Sequence, residues 1–265
     1  MTIPGSILAV GGAEDKFDKR TILHRFVEEA GGARARIAIL PTASTIPLKR
    51  AEFYQEVFAG LGAGQAFHVP IAGREDAAEF ANARAILGAS GVFLTGGDQA
   101  RLVSVLEDTP ALAAIRRRHA RGAVIGGTSA AASAFSETMI VGGGTGLRVQ
   151  PDTVELAEGF GVLPDLIIDQ HFSQRERLGR LLSAVGHEPS RLGVGIDEDT
   201  AISVRDGRFE VLGSGQVFVL DASHLAVNGL SRSGREPFTL SQITMHVLVE
   251  GDRFDVGARA LVRPD

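Results

Sequence analysis

Short apolar runs alternate with segments of helical periodicity through the first half of the chain. The apolar runs, most of them ended by Gly or Pro, predict buried strands at Ser6–Gly12, Arg36–Thr42, Ala66–Ile71, Gly91–Gly97 and Ala123–Ser129. The segments between them predict helices at Lys19–Ala30, Leu48–Gly60, Asp76–Leu87 and Ala100–Arg118. Strands that alternate with helices indicate a three-layer α/β fold, in which a mostly parallel sheet has helices on both faces.

The second half of the chain has a different pattern. Leu163–Phe172 predicts a buried strand and Gln174–Val185 a helix, and strands joined by tight turns follow. The pair Asp206–Gly207 is typical of a hairpin turn. We therefore expect antiparallel strands to extend the sheet in this half. Because the chain contains no low-complexity linker and no internal repeat, we expect one α/β domain over residues 1–265.

Composition narrows the class of protein. With 265 residues, 44% of them hydrophobic, the chain can bury a large core. It has no cysteine, which excludes disulfides, thiolate metal sites and cysteine nucleophiles. The net charge is −5 and no long basic block occurs, so we expect no nucleic-acid partner. The N-terminus has neither a positive segment nor a long apolar run, so we expect a soluble, cytoplasmic protein without a membrane partner.

A serine lies among very small residues in the stretch AVIGGTSAAAS, Ala123–Ser133. The pattern predicts a strand, a tight turn and a helix, and Gly127 to Ala131 nearly matches the nucleophile motif G-x-S-x-G, with alanine in the last place. Such a turn holds a serine, here Ser129, in a strained conformation with its hydroxyl above the sheet. Alternatively, Thr128 or Ser129 only caps the following helix. The stretch alone favours neither interpretation.

A serine nucleophile needs a base, and the chain has seven histidines. Only His171 directly follows a predicted buried strand and precedes a helix, and we expect it to share a sheet edge with Ser129. Backbone N–H groups of Gly97 and Ala130 are candidate donors to an oxyanion, although the glycine pair Gly96–Gly97 is also typical of a plain turn. The spacing leaves four candidates for the acid that orients the base: Asp169, Asp197, Glu198 and Asp199.

Five motifs in order resemble those of a known family. They are GGAEDK (Gly11–Lys16), LTGGDQ (Leu94–Gln99), GGTSAAAS (Gly126–Ser133), DQHFSQRERLGRL (Asp169–Leu181) and GVGIDEDTA (Gly193–Ala201). Together they are similar to the cyanophycinases, and the resemblance extends to His246–Val256. Those enzymes are serine-type exopeptidases with a glutamine-amidotransferase-like α/β fold. They degrade cyanophycin, a polyaspartate with arginine on each side-chain carboxyl, to β-Asp-Arg dipeptides.

The resemblance implies a role for each matching residue. It implies Ser129 as nucleophile, His171 as base and Glu198 as the third member of the triad. It also implies a homodimer with cyanophycin or its fragments as substrate, and no cofactor and no metal. Ala131 departs from the family, where glycine is usual. The substrate-binding residues of the family fall on Gln99, Asp169, Gln170, Arg175, Arg177 and Arg180.

The residues after His171 support a binding site for such a substrate. Arg175, Arg177 and Arg180 can bind carboxylates in bidentate fashion, and Asp169 can bind the substrate guanidinium in return. The alternative is a solvated helix surface paired with Glu176.

Four other functions compete with this one. A related peptidase would act on small Asp-containing dipeptides. A catalytically silent relative would only bind peptides. A nucleotide-binding protein would use glycine runs such as Val141–Gly146, although this run follows a predicted helix and indicates an irregular loop. A metal enzyme would use His171 and the nearby acids, but their spacing matches no familiar ligand motif.

Overall fold

Parallel strands form the centre of the larger sheet in the computed structural model, which describes residues 3–225, 227–228 and 239–262. These strands are β1 (Ile7–Val10), β2 (Arg36–Leu40), β3 (Gln65–His68), β4 (Gly91–Leu94) and β5 (Val124–Thr128). They lie in the order β1-β5-β4-β2-β3, each parallel to its neighbour. The predicted α/β fold with a parallel sheet is therefore confirmed, and every predicted strand of the first half is present, with ends within a few residues of the prediction.

Most of the eight described helices cover the two faces of this sheet, and the last one packs against the strands Leu192–Ile196 and Val217–Asp221. The helices are α1 (Thr21–Glu29), α2 (Pro47–Gly60), α3 (Arg74–Ala78), α4 (Phe80–Leu87), α5 (Gln99–Leu106), α6 (Pro110–His119), α7 (Ala130–Ala134) and α8 (Leu178–His187). Because successive strand residues point to opposite faces, Leu8 and Phe93 pack with α1 and α2, whereas Ala9 and Val92 pack with α5 and α6. Within the described part of the chain, no helix combines the length and the hydropathy that crossing a membrane requires.

Three predicted helices differ from the observed ones. The segment Asp76–Leu87 is divided between α3 and α4 because Glu79 has extended backbone angles. The segment Ala100–Arg118 is divided where Thr109 caps α6 and Pro110 begins it, since proline cannot continue a preceding helix. After the strand Leu166–Gln170 the chain makes a short 3-10 turn, and α8 begins later than predicted because Glu176 has a left-handed conformation.

Strands dominate the rest of the chain. They are β6 (Thr138–Gly143), β7 (Val154–Glu158), β8 (Leu166–Gln170), β9 (Leu192–Ile196), β10 (Thr200–Arg205), β11 (Arg208–Gly213), β12 (Val217–Asp221), β13 (Val227–Asn228), β14 (Leu240–Ser241), β15 (Thr244–Leu248), β16 (Arg253–Asp255) and β17 (Ala260–Leu261). β10, β11, β16 and β17 extend the larger sheet from β1 as antiparallel strands, which confirms the expected extension. Asp206 and Gly207 form the predicted hairpin turn, both with positive φ. The glycine run Val141–Gly146 begins inside β6, which pairs with β7, and is therefore not wholly a loop.

The strand before His171 belongs to a second sheet. β8 pairs with β9, and β12 and β15 complete this sheet. The expectation that His171 shares a sheet edge with Ser129 is therefore wrong, because β8 has no pairing with the larger sheet. Backbone hydrogen bonds join the two sheets instead: the His171 N–H donates to the Gly11 carbonyl at 2.8 Å, and the Asp199 N–H donates to the Gly12 carbonyl at 2.9 Å. The end of β1 thus holds the segments after β8 and β9 above the larger sheet.

Candidate active site

Ser129 occupies a strained turn between β5 and α7. Its φ of 55° and ψ of −113° lie outside the regions that non-glycine residues usually adopt. Such a conformation costs about 1–3 kcal/mol and is found where a function requires it. The Ser129 side chain makes no capping hydrogen bond to α7, and the Thr128 hydroxyl donates to Glu14 at 2.6 Å. Neither residue therefore caps the helix, and the alternative interpretation of this stretch is excluded.

The small residues around Ser129 are required by close packing. A Cβ atom on Gly127 would lie 2.5 Å from Cζ of Phe135 and 3.0 Å from Cβ of Ala131. A Cβ atom on Gly126 would lie 2.8 Å from the rings of Phe26 and Phe93. The methyl group of Ala131 is accommodated because Gly127 faces it. The turn can therefore carry alanine at the last position of the motif.

A chain of hydrogen bonds connects Ser129, His171 and Glu198. Ser129 Oγ lies 3.0 Å from His171 Nε2, and His171 Nδ1 lies 2.6 Å from Glu198 Oε1. A carboxylate can only accept a hydrogen bond, so Nδ1 carries the proton and the lone pair of Nε2 faces the serine. This arrangement lets the imidazole take the proton of the Ser129 hydroxyl.

The structure distinguishes among the three candidate acids of the turn after β9. Asp197 Oδ1 accepts hydrogen bonds from the backbone and hydroxyl of Ser173, and Asp199 Oδ1 accepts one from the backbone of Asp15. Glu198 is therefore the acid of this turn that reaches His171. The other two carboxylates fix the loops on either side, so Asp197 and Asp199 help to aim Glu198 without contacting the imidazole.

The surroundings of His171 favour its neutral form. Burial lowers the pKa of His171 below its ordinary value of 6.5, the hydrogen bond that its ring donates to Glu198 opposes this effect, and the charges of Arg175 and Arg177 lower the pKa further. Backbone packing fixes the ring as well, because a Cβ atom on Gly12 would lie 2.4 Å from Cε1 of His171. At neutral pH the imidazole is therefore uncharged, and its Nε2 can act as a base.

The two predicted oxyanion donors lie on either side of Ser129. The turn after β4 lies against the serine, since a Cβ atom on Gly96 would be 3.2 Å from Cβ of Ser129. Gly97 lines the cavity beside the serine, and no larger residue fits there because its Cβ would lie 1.9 Å from the carbonyl oxygen of Ala43. Ala130 begins α7 directly after Ser129 and is fully buried.

Three of the predicted substrate-binding residues form a buried ion cluster. Asp169 is 0% exposed, Arg177 8% and Arg180 5%. Arg180 donates to both carboxylate oxygens of Asp169, with Nε at 2.6 Å from Oδ2, and Arg177 lies 3.4 Å from Oδ1. Two sequence-based interpretations require correction here. Arg177 and Arg180 are buried and are not part of a solvated surface paired with Glu176. Asp169 does not face a substrate guanidinium, because these two arginines already occupy its oxygens.

The other three predicted substrate-binding residues differ in position. The Gln170 amide oxygen accepts a long hydrogen bond of 3.4 Å from Ser129 Oγ. Arg175 is exposed, and its backbone N–H donates to the carbonyl of His171 at 3.1 Å. Gln99 is half-buried, and its amide group donates to the carbonyls of Ile140 and Val141 at 3.0 and 3.2 Å. Gln170 and Arg175 therefore lie beside the candidate triad, whereas the Gln99 amide N–H groups tie α5 to β6.

Sequence reasoning missed one wall of this site. Ser129 and His171 line a cavity of about 610 Å³, and the loop after β1 and the start of α2 line it as well. Glu14, 3% exposed, lies in this wall and accepts hydrogen bonds from the hydroxyls of Tyr54 and Thr128. Lys16 pairs with the same carboxylate at 3.2 Å. Two signals could have identified this wall: Glu14 and Lys16 belong to the first family-like motif, and Tyr54 is the only tyrosine of the chain.

Side chains that could bind a metal ion do not cluster in the part of the chain that the structure describes. Among residues 3–225, 227–228 and 239–262, no set of three or more His, Asp or Glu side chains is placed to hold a metal ion.

The sequence is similar to those of known peptidases. The sequence pattern of peptidase family S51 matches residues 7–212. The chain is 44% identical over 261 residues to a cyanophycinase of Trichormus variabilis, covering 97% of this chain and 87% of that protein. It is 38% identical over 255 residues to a cyanophycinase of Thermosynechococcus vestitus, covering 95% and 79%.

Solved structures show a similar fold. A peptidase from an acI-B1 actinobacterium superposes with a TM-score of 0.69 at 22% identity, covering 96% of this chain and 97% of that one. A putative peptidase E protein from Listeria monocytogenes superposes with a TM-score of 0.56 at 17% identity, covering 80% and 100%. At these identities the structures establish the shared fold alone.

Proposed function

This chain belongs to peptidase family S51, and on that premise we propose that it hydrolyses cyanophycin to β-Asp-Arg dipeptides as a serine-type exopeptidase. The observation that carries the proposal is the line of hydrogen bonds from Ser129 through His171 to Glu198. The extended similarity to proteins named cyanophycinase supports the choice of substrate.

The proposed reaction proceeds through an acyl-enzyme. His171 Nε2 accepts the hydroxyl proton as Ser129 Oγ attacks a main-chain carbonyl of the polymer. The N–H groups of Gly97 and Ala130 stabilise the resulting oxyanion, and Glu198 stabilises the imidazolium. The imidazolium then gives its proton to the leaving amine. In the second half of the reaction, water attacks the ester with His171 again as base, which frees Ser129.

We assign two kinds of role to the predicted substrate-binding residues. Arg175 is exposed beside the base and can bind a substrate carboxylate, the side chain of Gln170 contacts the nucleophile, and the amide oxygen of Gln99 can accept a hydrogen bond from the substrate. The buried Asp169, with the two arginines it binds, instead holds the end of β8. Arg177 also donates to the carbonyl of Gln170, so this cluster fixes the backbone directly before the base.

The family resemblance extends the proposal to the assembly. We propose that the protein is a homodimer in the cytoplasm and that each chain is one domain. Light scattering of the purified protein measures the mass in solution, and calorimetry shows whether each chain unfolds in a single transition. A monomeric mass in light scattering would contradict the proposed homodimer.

Product analysis tests the proposed function. Purified protein is incubated with cyanophycin and, separately, with α-Asp dipeptides, and the products are identified by mass spectrometry. We expect β-Asp-Arg from the polymer, whereas release of amino acids from the dipeptides alone would favour a peptidase of small Asp-containing substrates.

Replacing the nucleophile tests the mechanism. We expect Ser129→Ala to lower the turnover of cyanophycin about 10⁶-fold, because the variant lacks the hydroxyl that is hydrogen-bonded to the base. Circular dichroism should show an unchanged fold. Full activity of a folded Ser129→Ala protein would contradict the mechanism.

A further inference from the structure

One wall of the cavity beside Ser129 has no role in the proposed reaction. It is built by the loop after β1 and the first turns of α2, which carry Lys16, Arg50 and Tyr54. None of the six residues that the family resemblance assigns to substrate binding lines this cavity. A polymer cleaved at Ser129 extends on both sides of the scissile bond, so the second side also needs a binding surface.

The charged groups of this cavity leave one guanidinium without a partner. Glu14 is compensated by Lys16 and by two hydroxyl donors. The exposed Asp98 caps α5 by accepting from the backbone of Arg101, and the Arg101 side chain donates to the carbonyls of Thr42 and Ala72. Arg50 is half-buried and forms no ion pair with any residue in the described part of the chain.

Local structure gives no reason for a cation at Arg50. The residue lies at the start of α2, where the helix dipole disfavours positive charge, and the first turn has no acidic residue to compensate it. Its guanidinium lies close enough to the Tyr54 phenol to oppose the rise in the pKa of that group, which burial and Glu14 otherwise push well above its usual value. The Arg50 charge therefore acts on Tyr54 within the lining of the cavity that also contains Ser129.

We propose that the cavity is a second substrate subsite in which Arg50 binds a carboxylate of the Asp-Arg chain. This inference rests on the proposed function, because each unit of that polymer carries one free carboxylate and one guanidinium. A planar guanidinium without a partner matches a carboxylate in bidentate geometry. The carboxylate has two sources, the arginine branch of a unit or the end of the main chain, and the recognition chemistry is the same for both.

Binding to the inactive enzyme tests the proposal. Calorimetry measures the Kd of a short β-Asp-Arg oligomer for Ser129→Ala and for Ser129→Ala with Arg50→Gln. Three oligomers are compared: the free acid, one with amidated arginine carboxylates and one with an amidated main-chain end. We expect one amidation to weaken binding to Ser129→Ala about tenfold more than it weakens binding to the variant that also carries Arg50→Gln. Which amidation this is identifies the source of the carboxylate.

Matched variants separate binding from folding. Lys49→Gln removes the adjacent exposed cation, which does not line the cavity, and should leave all three Kd values unchanged. Arg50→Lys keeps the charge but loses the bidentate geometry, so its Kd should be intermediate. If Arg50→Gln does not fold, Arg50→Lys and the amidated oligomers still decide. Equal Kd values for the free acid and both amides on Ser129→Ala would overturn the proposal.

Failure of this proposal differs from failure of the proposed function. If the active protein releases no dipeptide from the free-acid oligomer, the proposed function is wrong, and the subsite proposal is wrong with it. If the oligomer is cleaved and bound but amidation costs the same with Arg50 or Gln at this position, only the subsite proposal is wrong.

Discussion

Two turns supply the candidate triad with its serine and its histidine, and they are built in opposite ways. The turn at Ser129 is made of residues almost without side chains, and neighbouring side chains pack so closely against Gly126 and Gly127 that only glycine fits there. The segment around His171 is made of long charged residues, and its shape depends on the buried ion cluster of Asp169 with Arg177 and Arg180. A nucleophile can thus be positioned by steric exclusion of alternatives, and a base by charge-assisted hydrogen bonds.

Among the variants that test this comparison, the largest effect is expected from breaking the connection between the two turns. Glu198→Gln removes the carboxylate that fixes the tautomer of His171 and stabilises its imidazolium. We expect kcat on cyanophycin to fall about 10³–10⁴-fold with little change in stability. Glu176→Gln, which changes an exposed acid near the same histidine, should retain full activity. Near-normal turnover by Glu198→Gln would show that the Ser129 turn works without an oriented base.

A smaller effect is expected where charge builds the turn. Asp169→Ala leaves Arg177 and Arg180 buried without their carboxylate, and we expect a loss of about 3–5 kcal/mol in the free energy of unfolding. Urea denaturation measures this loss. Asp165→Ala, which removes an exposed carboxylate just before β8, should change stability by less than about 0.5 kcal/mol. A stable Asp169→Ala protein would mean that the cluster does not hold this segment.

A still smaller effect is expected at the Ser129 turn, which is defined by steric exclusion. Gly127→Ala places a methyl group against Phe135 and Ala131, and we expect a loss of about 1–3 kcal/mol in the free energy of unfolding. Gly73→Ala is a matched control, because its Cβ meets nothing within 4 Å and its φ is negative. The double variant Gly127→Ala with Ala131→Gly should recover part of the loss. If both single glycine variants were equally stable, close packing would not define this turn.

The same contrast explains what could be predicted from the sequence. The turn at Ser129 follows from a local pattern, since a strand, a run of small residues and a helix can be recognised within eleven residues. The arginines after His171 could not be placed this way. Whether a long side chain points to solvent or into the protein depends on where β8 lies, and β8 pairs in a second sheet whose strands are far apart in sequence. The cavity wall that contains Glu14 could not be predicted for the same reason, because Glu14 and its hydrogen-bond partner Tyr54 are forty residues apart in the sequence.

The smallest expected effect concerns the charge that surrounds the base. His171 must be neutral to accept the serine proton, and its neutral fraction falls as pH drops through its pKa. Because burial and the nearby arginines lower that pKa below 6.5, reactivity of Ser129 should persist below pH 6.5 and be lost only at lower pH. Arg175→Gln removes one of these charges, so the pKa should rise and reactivity should be lost at a higher pH. The rise should be less than about one pH unit and should shrink with added salt, because Arg175 is exposed.

The rate of Ser129 labelling by a sulfonyl fluoride, followed against pH, measures the pKa of His171 without involving substrate binding. Arg34→Gln, an exposed arginine before β2, is the control for a general loss of positive charge. An identical pH profile for Arg175→Gln and the unmodified enzyme would mean that the pKa of His171 is set by burial and Glu198 alone.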